Sequence, residues 1–114
     1  MVTKQRYVPD RGDILWLDFN PVRGHEQGGR RPALVLSTRE YNTVATLAIV
    51  CPATSQIKGY PFEIRFKTKN ISGVILADHI RNIDWARRHA DKIGTVPEAV
   101  ITMVQEYIKK LVFE

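Results

Sequence analysis

Residues 20–32 read NPVRGHEQGGRRP, a stretch that sets one carboxylate, Glu26, and two adjacent arginines, Arg30 and Arg31, among three glycines. A carboxylate can take up and return a proton, and a guanidinium offers a planar fork of donors that matches a phosphate. A loop anchored at both ends can present both groups to one ligand. The same residues also allow a plainer arrangement, in which Glu26 and Arg31 only pair with each other at the surface, a weak interaction. Other chemistries find less support. His25, His79 and His89 share no metal-ligand spacing, and the single cysteine, Cys51, cannot build a zinc knuckle, so no metal site is expected. The glycines match neither the phosphate-loop pattern nor the dinucleotide fingerprint, and no G-x-S-x-G elbow occurs, so no nucleotide cofactor or serine nucleophile is indicated.

The elements that must position this loop are mostly strands. GDILWLDF (12–19) is a β-prone run that stops at Asn20-Pro21. ALVLS (33–37) and ATLAIVC (45–51) are continuous apolar runs of the kind found in strands buried on both faces, with the polar REYN (39–42) read as a turn between them. After a second loop, 53–61, the alternation in FEIRF (62–66) predicts one dry and one wet face. VILAD (74–78) is another buried-type strand, and 79–85 continues or follows it with a bend. From Val100 the apolar positions 100, 101, 104, 107, 108, 111 and 112 have helical spacing. Thr95 and Glu98 have the spacing of a capping box, with Pro97 in the first turn. The expected fold is mainly β, a small, strongly bent barrel or sandwich of five to six short strands closed by a C-terminal α-helix.

At 114 residues the chain has the size of one domain, spanning 1–114. One cysteine excludes an internal disulfide and suits a reducing compartment. Neither a signal-peptide core nor an apolar run long enough to span a bilayer is present, so a cytoplasmic protein with no membrane association is expected. Seventeen Lys and Arg against twelve Asp and Glu give a net charge of +5. The excess is spread along the chain, so any polyanion site must be assembled by folding.

Three stretches, GDILWLDFNPVRGHEQGGRRPALVLS, CPATSQIKGYPFE and GVILADHIRNIDW, occur in an order and spacing that closely resemble the MazF/PemK/Kid family of bacterial toxin endoribonucleases, or mRNA interferases, nearest its MazF branch. The resemblance covers nearly the whole chain. It implies an SH3-like barrel with a C-terminal helix, a homodimer, and a toxin of a type II toxin–antitoxin system held inactive by a cognate antitoxin. It further implies metal-independent cleavage of single-stranded mRNA, with no cofactor. The ribose 2′-hydroxyl attacks its neighbouring phosphate and leaves a 2′,3′-cyclic phosphate and a 5′-hydroxyl, and translation is inhibited.

Carried over position by position, Glu26 is the general base, Arg31 stabilises the phosphate, and Thr54 donates a hydroxyl hydrogen bond to a phosphate oxygen. The general acid stays open, with Arg31, water and His25 as alternatives. Arg23, Gln27, Arg30, Ser55, Gln56 and Lys58 are expected to contact RNA. Asp78 aligns with an aspartate that some members use near the site, although the arginine that accompanies it there is Leu76 here. Trp16 is expected in the core or a dimer interface, and Cys51 as a small buried hydrophobe. The competing function is a noncatalytic toxin that binds a protein target, such as a topoisomerase, through the same barrel. Fold alone does not separate the two.

Overall fold

The computed structural model describes residues 7–19 and 29–114. Its centre is three strands whose successive side chains enter two different cores. In β1 (Asp13–Asp18), Ile14 faces one core and Leu15 and Leu17 the other. In β2 (Arg30–Val35), Leu34 is set against Ala33 and Val35, and in β3 (Ala48–Thr54), Cys51 and Ala53 against Ala48 and Val50. A strand buried on both faces needs an unbroken apolar sequence, which accounts for the runs seen there. Cys51 is fully buried, and burial, followed by the charge of Asp78, pushes its thiol up to about 12, so it is an inert hydrophobe.

The remaining elements wrap this centre. They are α1 (Arg39–Ala45), β4 (Glu63–Lys67), β5 (Ser72–Leu76), β6 (Arg81–Ile83), β7 (Asp91–Thr95) and α2 (Glu98–Phe113). Pairing is antiparallel in the order β4-β5-β3-β2-β1-β7, with β6 also on β3. β3 changes partner along its length: Ala48–Val50 pair with β6, and Ala53 and Thr54 pair with β5. Pro52, which has no N–H to donate, lies in the gap between these two pairings. The change of partner bends the sheet into a half-barrel and leaves the C-terminal end of β3 at its mouth.

The β-rich body and the C-terminal helix agree with the sequence reading, and four local features differ. REYN belongs to helix α1, capped by Thr38, whose hydroxyl accepts the Tyr41 N–H at 3.4 Å. Seven residues that bury only Asn42 carry no apolar periodicity to detect. The third strand runs over 48–54 rather than 45–51, because α1 takes its predicted start. β7 went unrecognised because its sequence, DKIGT, is largely polar. Thr95 closes β7 instead of capping α2, whose N-cap is Pro97 with no side-chain hydrogen bond. The α2 stripe packs through Val100, Ile101, Val104, Tyr107 and Ile108, while Leu111, Val112 and Phe113 extend past the sheet, Phe113 being 79% exposed.

Asn42 joins α1 to the body. Its side-chain amide donates to Pro9 O (2.8 Å) and Ser37 O (3.2 Å), its Oδ1 accepts from Ser37 Oγ (2.5 Å), and its carbonyl accepts the Trp85 indole N–H (3.1 Å). A fully buried amide is tolerated only when satisfied in this way.

Candidate active site

Arg31 enters the site from the start of β2, where it lies opposite Leu17, and Thr54 enters from the last position of β3. Both line one cleft of about 420 Å³, together with Arg30, Ser55, Trp16 and Ser72. Thr54 Oγ1 accepts the Gln56 N–H at 3.1 Å, which turns the chain out of β3 and leaves the hydroxyl proton to be donated. Close packing fixes this position. A Cβ added to Gly73 on β5 would lie 2.3 Å from the Thr54 carbonyl oxygen, so only glycine lets β5 approach this part of β3. Trp16 is half-buried, opposite Pro32, and presents an aromatic surface to the cleft beside Arg31.

A smaller pocket of about 220 Å³ shares Thr54 with the cleft and is lined by Gln56, Lys58, Tyr60, Glu63 and His79 among others. The rings of Tyr60 and Phe62 stack with centroids 5.0 Å apart and planes 11° apart. Glu63 accepts hydrogen bonds from the backbone N–H groups of Lys58 (3.1 Å) and Gly59 (2.9 Å).

Three groups pin the point where β1 ends and β2 begins. Phe19 N–H donates to Gly29 O at 2.8 Å, closing the stem between the strands. Arg30 donates to Asp18 Oδ1 (3.1 Å) and to the His89 carbonyl (3.0 Å), and the His89 imidazole Nδ1 lies 2.7 Å from Asp18 Oδ2. His89 has a backbone φ of 55°, a left-handed turn that brings its ring and its carbonyl to the stem. The His89 hydrogen bond, followed by that from Arg30, lowers the Asp18 carboxyl below its ordinary range.

A family model described as PemK-like, MazF-like toxin of type II toxin-antitoxin system matches residues 10–112. The chain belongs to that family. Endoribonuclease toxin MazF of Escherichia coli (strain K12) is 44% identical over 107 residues, covering 94% of this chain and 96% of that one. A crystal structure of MazF from Deinococcus radiodurans superposes with a TM-score of 0.91 at 48% identity, over 96% of this chain and 100% of that one. A MazE–MazF crystal structure from the same organism gives 0.84 at 49% identity, over 94% and 97%.

For this MazF-like toxin, the expected site residues divide into groups. Arg30, Arg31, Thr54 and Ser55 share the cleft, and Gln56 and Lys58 share the adjoining pocket. Asp78 lines neither cavity; its carboxylate lies 3.7 Å from His79 Nε2. Arg23, Glu26, Gln27 and His25 lie outside the described residues. Arg30 is committed to Asp18 and His89 instead of being presented to a ligand. Sequence reasoning missed the Asp18–His89 contact, whose partners are 71 residues apart, and Glu63, which looked like one more charge on the wet face of a strand. Among the described residues no group of three His, Cys, Asp or Glu could hold a metal, and no helix is long and apolar enough to cross a membrane.

Proposed function

We propose that this MazF-like endoribonuclease toxin cuts single-stranded mRNA by 2′-hydroxyl transesterification in the Arg31–Thr54 cleft. The observation that carries this reading is the convergence, on one cleft, of a guanidinium and a hydroxyl with a proton to donate, both delivered by strand ends. Glu26 takes the proton of the 2′-hydroxyl, the O2′–P bond forms, and Arg31 and Thr54 hold the phosphate oxygens as charge builds on them. The P–O5′ bond then breaks, leaving a 2′,3′-cyclic phosphate, and the 5′-oxygen receives a proton. Because the nucleophile belongs to the RNA, the protein needs only a base, positive charge and a proton source. Arg23, Gln27, Ser55, Gln56, Lys58 and Asp78 serve as RNA contacts on this reading, with Arg30 acting through the stem.

In the cell the toxin is cytoplasmic, forms a homodimer and is inhibited by a cognate antitoxin. The MazE–MazF complexes of its relatives support the antitoxin, and the exposed apolar end of α2 supports a protein contact there. The test uses a DNA oligonucleotide carrying a single ribonucleotide, in the presence of a chelator. Wild-type protein is expected to cut only after that ribonucleotide, Glu26→Ala to bind without cutting, and Arg31→Ala to lose cutting. Wild-type cleavage rates in Glu26→Ala would overturn the assigned mechanism.

A further inference from the structure

Glu63 opens β4, and its carboxylate is turned back onto the loop that leads into the strand. Oε1 accepts from Lys58 N (3.1 Å) and Gly59 N (2.9 Å), and Oε2 lies 3.2 Å from Lys58 N. Gly59, at φ +83°, supplies the left-handed turn that lets consecutive N–H groups converge on one anion. A carboxylate beside a polyanion's path normally repels it, but here its charge is engaged by peptide donors. The loop held in this way bears Lys58 and Tyr60, and Tyr60 is stacked on Phe62. Phe62 O accepts the Ala77 N–H at 3.0 Å, which ties the loop to the end of β5 and to His79.

We infer that the pocket between this loop and β5 receives a nucleobase adjoining the cleaved linkage, and that Glu63 is the positioning residue that sets its walls and so the cleavage motif. The pocket has the parts for this role. The stacked aromatic pair offers an apolar flank, and the Gln56 amide and the His79 ring supply edges that can hydrogen-bond a base. Its shared residue, Thr54, places that base next to the phosphate in the main cleft. The inference rests on the ribonuclease reading above.

The experiment compares wild type, Glu63→Gln and Glu63→Ala by sequencing the 5′ ends cut from a random RNA pool, and by kcat and KM on one oligonucleotide. Glu63→Ala is expected to raise KM about tenfold, to keep kcat within about threefold, and to admit further bases at one motif position. Glu63→Gln, which retains an acceptor for the two N–H groups, is expected to restore both KM and motif. A kcat that falls with the folded fraction while KM and motif stay unchanged overturns the inference, since that is the effect of a carboxylate serving stability alone. Should Glu63→Ala fail to fold, Tyr60→Ala removes a wall while sparing the carboxylate, and an unchanged motif in that variant overturns the base pocket. Wild-type protein that leaves RNA intact overturns the ribonuclease reading together with this inference, an outcome separate from the others.

Discussion

The hydroxyl of Thr54 and the carboxylate of Asp18 show how single side chains acquire a role from what holds them. By accepting the Gln56 N–H, Thr54 both bends the backbone and orients its own proton outward. Asp18 ties His89 and Arg30 to the stem between β1 and β2, and both partners favour its charged form. A carboxyl whose folded pKa lies below its unfolded value of about 3.9 contributes stability above that pH and loses it as the pH falls through the folded value. Asp18→Asn is therefore expected to unfold at a lower temperature than wild type near neutral pH, and the gap should close on acidification below about pH 4. Thermal melts of both proteins across that range test this, and a gap that stays constant would remove Asp18 ionisation as its source. At this scale the sequence showed Arg31 and Thr54 through family resemblance. It could not show the Asp18–His89 contact, because nothing local to either residue points to the other.

The β3 strand does more than bury apolar side chains. Its change of partner from β6 to β5 bends the sheet, and the bend sets Thr54 at the mouth beside Arg31 of β2. Gly73 is the condition for this approach. Gly73→Ala is expected to destabilise the fold by about 1–3 kcal/mol through overpacking and to lower kcat by displacing Thr54. Urea unfolding and single-turnover cleavage measure the two effects separately. Unchanged stability and kcat would mean that β5 yields at no cost. Apolar runs and alternation made β1 to β5 and α2 legible, because burial on one or two faces writes itself into the sequence. α1 and β7 were not legible. The helix turns on one satisfied amide, Asn42, and the strand is a polar edge held by pairing with β1.

Across the whole molecule, the net charge of +5 acts on RNA only where the fold concentrates it. Arg31 and Lys58 come to neighbouring cavities from positions 27 residues apart, so charge counted along the chain understates the field at the site. Neutralising three phosphates of a single strand implies that a fourfold rise in salt weakens binding about twentyfold. KM for RNA measured from about 50 to about 200 mM salt should rise accordingly, while the melting temperature moves little. A KM that ignores salt would place recognition in uncharged contacts.

The Phe19–Gly29 hydrogen bond and the Asp18–Arg30 pair seal the base of the segment between them, so the register of β1 on β2 is established below it. The strand scaffold is thereby insulated from the length and composition of what is inserted above that seal. Residues 20–28 form a replaceable cassette, and a protein engineer could exchange them for those of a relative without rebuilding the half-barrel.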